Sequence, residues 1–291
     1  MYLEISNVAT AINKNPYESR DKMLLCSWAR HCPEEVYNYL IEEGCITKLK
    51  KDQESHSKLQ EETYKAILPP LFDTKDFKII EEEIVEDYKR KRNNEQDADE
   101  IKRLKELTRD QLKKDNGNLQ EKVTIQKNNY KSGNTKMYYY DINSNCKIGG
   151  KFDALAEKQD LIIEIKTRTR LHNVRKNEYD LCQLICYMLA TKKNQGKIVQ
   201  VFNGVQYDSD TETEKEYGIV NLKEDKWKQF VEDIIFGLRK YFDDLEKIML
   251  QNKMETLAMI IPNTIRPIAK LNERYQICDE KIEYKSILKF L

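Results

Sequence analysis

The chain has no surplus of either charge and no long apolar run. Its 50 lysine and arginine residues balance its 50 aspartate and glutamate residues. Proteins that bind nucleic acid through their overall charge are strongly basic, so this balance requires a local basic patch for any such partner. No apolar run approaches the roughly 18 residues that a membrane-spanning helix needs. We therefore expect a soluble protein with no membrane partner.

The seven cysteines form no CxxC pair. An odd number of cysteines without a secretory signal is typical of a reducing compartment. The first twenty residues have the features of neither a signal peptide nor an arginine-rich transit peptide. We therefore expect an intracellular protein, located in the cytoplasm or, if it is viral, in the cytoplasm or nucleus of a host cell.

Hydrophobic patterns divide the chain into three regions. Residues 1–116 are predicted to be a helical region, in which helices over 5–45 break at Asn15-Pro16-Tyr17 and restart at Pro33. Acidic and basic residues alternate over 81–115, which predicts a solvated helix with a join near Asn93-Asn94. Residues 225–291 are predicted to be a C-terminal helical region that begins with a long amphipathic helix over 225–250.

The middle region, residues 117–224, mixes strand and helix patterns. It is predicted to contain helices at 118–127 and 177–192, and strands at 136–142, 147–155, 161–166, 197–203 and 216–222. This order favours an α/β or α+β fold, in which helices pack on a sheet.

Two adjacent strands of this region carry a pair of carboxylates and a lysine. Asp153 ends the sequence GGKFD, and ten residues separate it from the sequence Glu-Ile-Lys at 164–166. Because side chains alternate along a strand, Glu164 and Lys166 share one face. A turn centred on Lys158 and Gln159 places Asp153 opposite Glu164, with Cβ atoms about 4.5–5.5 Å apart.

Two carboxylates at this separation repel each other unless a cation lies between them. Oxygen ligands with room for water favour Mg²⁺ or Mn²⁺ over zinc, and the backbone carbonyl of Ile165 is a further candidate ligand. Beside a metal and a phosphate, Lys166 is placed to orient or deprotonate the attacking water. Gly149 and Gly150 are poor strand formers and predict a bulge or the close approach of another backbone, such as a phosphodiester. The alternative interpretation is a surface hairpin with an ordinary Glu–Lys pair.

Polar residues follow this motif. Gln183 is an amide within the apolar sequence LCQLICYMLA, and a buried amide needs partners. Those partners are either backbone groups, or the carboxylates, a bound water or a phosphate. Five basic residues without an intervening acid predict contact with phosphates, the alternative being an exposed basic loop; they are Lys166, Arg168, Arg170, Arg175 and Lys176.

The sequence GGKFD…EIK resembles the PD-(D/E)XK nuclease superfamily, with Phe152 in place of the usual proline. Three further segments resemble its lambda-exonuclease/YqaJ-like branch of viral recombinases and alkaline exonucleases. They are the N-terminal ISNVA…NPY, the segment Gly117–Glu121 and the segment Gln183–Tyr187. The resemblance implies a restriction-endonuclease-like central mixed β-sheet flanked by helices, with added helical segments at the N-terminus and C-terminus.

The resemblance also implies roles for residues outside the two strands. It implies that Glu121 is a further metal ligand and that Gln183 supports catalysis. It implies that Ser6, Asn15 and Tyr187 contact nucleic acid, although core packing is the stronger expectation for Tyr187.

The expected function is that of a Mg²⁺- or Mn²⁺-dependent DNA exonuclease of the lambda type, acting in viral or phage recombination, replication or repair. DNA is favoured over RNA as substrate. A homo-oligomer or a single-strand annealing protein is the further partner that the resemblance implies. The alternatives are a metal-dependent endonuclease acting on RNA or DNA, and an inactive nuclease-fold protein that only binds nucleic acid. An iron–sulfur nuclease is excluded, because near the C-terminus the chain has Cys278 but no cysteine cluster.

Overall fold

The computed structural model describes residues 1–42, 46–48, 77–91, 98–168, 178–202, 205–208, 218–250 and 275–277. The chain divides into two compact units, one formed by Met1–Thr47 with Val123–Leu291 and the other by Lys48–Lys122. Within the described residues, no helix has the length and apolarity needed to cross a membrane.

The helices and strands are numbered here in chain order. The described α-helices are α1 (Val8–Ala11), α2 (Arg20–His31), α3 (Pro33–Glu42), α4 (Phe77–Lys91), α5 (Ala98–Lys127), α6 (Glu178–Thr191) and α7 (Asp225–Leu250). The described strands are β1 (Tyr2–Glu4), β2 (Ile46–Lys48), β3 (Lys131–Ser132), β4 (Tyr138–Asp141), β5 (Lys147–Gly150), β6 (Ala154–Ala156), β7 (Leu161–Arg168), β8 (Gln195–Phe202), β9 (Val205–Asp208), β10 (Val220–Asn221) and β11 (Tyr275–Ile277).

The largest sheet is mixed and has β7 at its centre. Its strand order is β10-β8-β7-β6-β3, and β9 also pairs with β8. β7 runs parallel to β8 and antiparallel to β6. The parallel pair is joined through α6, as parallel neighbours require a crossover connection. With helices packed against the sheets, this arrangement confirms the predicted mixed α/β fold.

A smaller sheet has the order β1-β5-β4, in which β1 is parallel and β4 antiparallel to β5. The single strand predicted over 147–155 is therefore two strands in two different sheets. The chain passes from one sheet to the other at Lys151-Phe152-Asp153. The Phe152 ring is buried there, with its centroid 5.2 Å from that of the tilted Tyr138 ring. A buried aromatic side chain at this point anchors the bend, and Asp153 follows it directly.

The two faces of β7 bury different side chains. Ile162 belongs to the core that includes α6, whereas Ile163 and Ile165 belong to a second core with Ile125 of α5. This alternation confirms the predicted division of the strand, and it places Glu164 on the face that α6 covers.

The first three helices confirm the helical pattern predicted over 5–45, including the break at residues 15–17 and the start of α3 at Pro33. Of these, α1 and α2 pack against α7, and α3 packs against α2. Trp28 and Tyr241 are fully buried, and the Tyr241 hydroxyl lies 2.6 Å from Ser27 Oγ. Arg20 Nη2 donates a hydrogen bond to Asp244 Oδ2 at 2.6 Å.

The unit Lys48–Lys122 contains α4 and most of α5. The solvated helix predicted over 81–115 falls within these two helices, and the predicted join at residues 93–94 lies outside the described residues. Both helices bury an apolar stripe that includes Ile84, Tyr88 and Leu112. The prediction of a solvated helix rested on the abundant charged residues around this stripe and therefore did not include its burial.

The surroundings of the two glycines in β5 explain why no side chain is present there. Gly149 and Gly150 stay in regular pairing with β4 and form no bulge. A Cβ at Gly149 would lie 2.6 Å from the Tyr139 ring, and one at Gly150 would lie 2.9 Å from Tyr187 Cε1. The glycines therefore make room for tyrosine side chains, and Gly149 also for the backbone carbonyl of Tyr138, 3.1 Å from such a Cβ.

We predict that Gly150→Ala destabilises the protein by roughly 1–3 kcal/mol, the usual effect of overpacking a buried contact. The reason is the 2.9 Å approach of the new methyl group to Tyr187, measurable as the free energy of unfolding in denaturant. The matched control is Gly117→Ala in α5, where a Cβ meets nothing within 4 Å. This control should stabilise the helix by about 0.5–1 kcal/mol. Equal unfolding free energies for Gly150→Ala and the unsubstituted protein would contradict the packing described.

Candidate active site

The site is built on the hairpin formed by β6 and β7. Its last backbone pair is Ala154 with Ile163, and continuing the register by one residue sets Asp153 against Glu164, as the sequence predicted. The Asp153 carboxylate accepts a hydrogen bond from the Ile165 backbone N–H at 2.6 Å. The backbone carbonyl of Asp153 accepts a hydrogen bond from the N–H of Gly133 at 2.9 Å. Asp153 is thus fixed at both its side chain and its backbone.

Glu164 is a buried carboxylate with one oxygen uncompensated. Its Oε1 lies 2.8 Å from Lys166 Nζ, while its Oε2 finds no hydrogen-bond partner among the described residues. Burial, helped by the nearby charge of Asp153, raises the pKa of Glu164 from 4.5 to about 8. A buried carboxylate oxygen without a donor is costly, so this atom is a fitting ligand for a cation.

Lys166 is held by three side chains. Its Nζ donates to Gln183 Oε1 at 2.7 Å and lies 2.8 Å from Glu164 Oε1 and 3.7 Å from Asp180 Oδ1. Burial alone would lower the pKa of Lys166, but attraction to Glu164 and Asp180 outweighs it and raises the pKa above its ordinary value. The ammonium therefore stays charged.

One face of α6 supplies the polar partners of β7. Asp180, Gln183 and Tyr187 are spaced three and then four residues apart, which puts them on one side of the helix. Asp180 pairs with Arg168, and Gln183 bonds both Lys166 and the hydroxyl of Tyr187. The partners of the Gln183 amide are thus an ammonium and a hydroxyl of the site, rather than the backbone groups, carboxylates, water or phosphate that the sequence suggested.

The charges at the site do not balance. Asp153, Glu164 and Asp180 contribute three carboxylates against the two cations Lys166 and Arg168. One negative charge is left over in surroundings from which water is largely excluded. Either a proton or a bound cation removes this excess, and the raised pKa of Glu164 favours the proton where no cation is bound.

The donors present fit Mg²⁺ or Mn²⁺. Among the described residues, no group of three or more His, Cys, Asp or Glu side chains is arranged to hold a metal ion. Mg²⁺, however, is commonly held by one or two carboxylates and keeps several waters. Asp153, Glu164 and the carbonyl of Ile165 form such an oxygen-only set.

The remaining residues predicted for the site are in several places. Ser6 is exposed in the short 3₁₀ helix Ile5–Asn7, and Tyr187 is buried against Gly150. Arg168 is mostly buried and bonds Tyr179 and Asp180. Glu121 is half-buried on α5, in the unit Lys48–Lys122. The predicted basic residues Arg170, Arg175 and Lys176 lie outside the described residues.

Asp180 is the site residue that sequence reasoning missed. It is 1% exposed, and it contacts both cations of the site. The available signal was its position one helical turn before Gln183, in a helix whose other face is apolar. An acidic residue in the first turn of a helix is common for helix-dipole reasons, which concealed the more specific role.

We predict that metal affinity depends on pH through Glu164. Below about pH 8 the metal-free carboxyl holds a proton that an ion must displace, so Mg²⁺ should bind more weakly at about pH 6 than at about pH 9. Calorimetric titration with Mg²⁺ measures this. Glu164→Gln, which cannot titrate, should bind weakly at both pH values. Equal affinity of the unsubstituted protein across this range would contradict the assignment.

The same group sets a stability trend without metal. Between pH 4.5 and about 8 the folded protein holds a proton on Glu164 that the unfolded chain has released. The contribution of Glu164 to the free energy of unfolding is therefore fully present below pH 4.5 and is lost as the pH rises to about 8. Thermal unfolding in a chelator should show this slope, and Glu164→Gln should reduce it.

Comparison with known proteins identifies a family and finds loose structural likenesses. A family model that describes the PD-(D/E)XK nuclease superfamily matches residues 47–247, more than half of the chain. Among curated proteins, none matches the chain significantly. A crystal structure of SSO0001 is similar at 18% identity over 67% of this chain and 86% of its own, with a TM-score of 0.34. That likeness is too loose to carry an argument.

Proposed function

The chain belongs to the PD-(D/E)XK nuclease superfamily, and from this membership we propose that Asp153, Glu164 and Lys166 form its phosphodiester-cleaving site. The superfamily consists of metal-dependent nucleases, so the substrate is nucleic acid. The observation that carries the proposal is the buried Oε2 of Glu164, which has no hydrogen-bond donor among the described residues. It lies in a site with one excess negative charge.

Asp153, Glu164 and the Ile165 carbonyl would hold Mg²⁺ or Mn²⁺. We include Glu121 as a further ligand on the strength of its place in the GxxxE motif. When bound, the ion supplies stabilisation of negative charge on the phosphate and activation of water. The two positive charges of such an ion would match the single negative excess of the site together with the charge of Glu121.

Lys166 acts through its charge and its hydrogen bonds. A protonated ammonium donates hydrogen bonds and accepts no proton, and its raised pKa keeps it in this form. Of the two tasks that the sequence suggested, orienting the water and the phosphate oxygens therefore fits better than deprotonating the water. Gln183 and Asp180 hold the ammonium from α6, at 2.7 and 3.7 Å, and are positioning residues.

The finer proposal is a DNA exonuclease of the lambda type that acts in viral or phage recombination, replication or repair. It is supported by the order of the NPY, GxxxE, D…EIK and Q…Y segments along the chain. The basic residues Arg170, Arg175 and Lys176 follow the end of β7 and are proposed to contact phosphates, together with Ser6. A second copy of the chain or a single-strand annealing protein is the proposed partner.

We predict that Asp153→Asn and Lys166→Ala each reduce cleavage at least about a hundredfold, the usual scale for losing one transition-state contact. Asp153→Asn removes a ligand charge, and Lys166→Ala removes the ammonium between Glu164 and Gln183. Initial rates of Mg²⁺-dependent cleavage measure the effect. Asp160→Asn and Lys158→Ala, exposed on the same hairpin turn, are matched controls expected to cut at the unsubstituted rate. Normal cleavage by either site variant would contradict the assignment.

A substrate panel tests the finer proposal. With Mg²⁺ or Mn²⁺, we expect loss of label from end-labelled linear DNA, no cutting of covalently closed circular DNA, and slow or no cutting of RNA. Cutting of circular DNA would identify an endonuclease instead. Faster cutting of RNA would overturn the proposed preference for DNA. Neither cutting of circular DNA nor cutting of RNA would contradict the proposed metal site.

A further inference from the structure

An exposed aromatic side chain lies beside the charged site and has no part in the reaction as described. Tyr17 is 71% exposed. Its ring packs edge-to-face on the ring of Tyr179, with centroids 6.0 Å apart and an interplanar angle of 86°. The two rings form a step whose outer member faces water. We call this pair the tyrosine step.

The tyrosine step is connected to the site through Arg168. Arg168 Nη1 donates to the Tyr179 hydroxyl at 2.7 Å, and its guanidinium lies 5.7 Å from the centre of that ring. The other end of the guanidinium pairs with Asp180, which is 3.7 Å from Lys166 Nζ. A short series of contacts thus joins the exposed ring to the lysine proposed to orient the phosphate.

The segment that carries Tyr17 is held in place by contacts of Lys14 and Asn15. The Tyr17 backbone N–H donates to Asn15 Oδ1 at 3.0 Å, and Asn15 Nδ2 donates to the buried Thr10 at 2.9 Å. Lys14 Nζ pairs with Glu178 Oε2 at the start of α6, at 2.7 Å. The Asn15 amide is therefore engaged in the turn that carries Tyr17.

A fixed ring that stays mostly in water gains little from burial, so core packing does not explain its position. Single exposed aromatic residues are common on protein surfaces. This one differs because its turn is bonded to the core, and because a second ring and a guanidinium support it from below. The face of such a preorganised tyrosine ring suits a nucleobase, since every base offers a π face.

We propose that the tyrosine step stacks against a base of the strand held in the site, near the phosphate that is cleaved. The inference rests on the proposed function, since it takes the bound strand from there. Stacking of this kind tolerates any base, so the step would hold the strand in place without selecting a sequence.

The test is binding of dye-labelled single-stranded oligonucleotides to the full chain, measured by fluorescence anisotropy with Ca²⁺ in place of Mg²⁺ to limit cleavage. Tyr17→Ala should weaken binding roughly five- to tenfold, the lower range for losing one stacked base. Tyr17→Phe retains the ring and should bind like the unsubstituted protein. Phe236→Ala removes another ring, 70% exposed on α7, and should have no effect.

An oligonucleotide series with a single abasic site at successive positions locates the stacked base. The unsubstituted protein should lose affinity at one position, and Tyr17→Ala should have lost this sensitivity. If Tyr17→Ala binds normally, or if both proteins respond alike to every abasic position, the tyrosine step is overturned while the nuclease proposal stands. If binding depends on Tyr17 but no metal supports cleavage, the proposed function alone fails. If no oligonucleotide binds, both fail.

Discussion

The Lys166 ammonium connects the two layers on which the site depends. On its own strand it neutralises Glu164, and across the layer it bonds Gln183 and faces Asp180 of α6. A buried carboxylate and a buried ammonium are each costly alone, and each is tolerable only because the other is present. The helix and the sheet are therefore joined by charge here and at the neighbouring pair of Arg168 and Asp180, in addition to their apolar packing.

The same interaction explains why the site is poised for a cation. Lys166 and Arg168 together carry two positive charges, whereas Asp153, Glu164 and Asp180 can carry three negative ones. In addition, no described residue donates a hydrogen bond to Glu164 Oε2. The fold thus places one excess negative charge at the end of the β6–β7 hairpin. An excess negative charge lowers the stability of a protein without a bound cation and favours the binding of one. Functional sites commonly reduce stability in this way.

Much of the site was predictable because its determinants are local. The alternation of β7 and the symmetric turn before it follow from strand geometry, so Asp153, Glu164 and Lys166 could be placed together from their spacing. The helix α6 was predictable from its apolar sequence. The break between β5 and β6 was missed, because the cause is a single buried ring at Phe152, and strand patterns on either side look continuous. Gly150 was misinterpreted since its partner, Tyr187, is distant in sequence.

The sequence by itself determined the family, the core elements and the two strands that carry the acidic residues, because periodicity and motif spacing act over short stretches of chain. Only the tertiary structure decided what surrounds them. Contacts such as Asp180 with Lys166, or Tyr17 with Tyr179, join residues from separate elements, and burial is the largest cause of the raised pKa of Glu164. Burial and long-range contact are properties of the folded chain, and no local pattern encodes them.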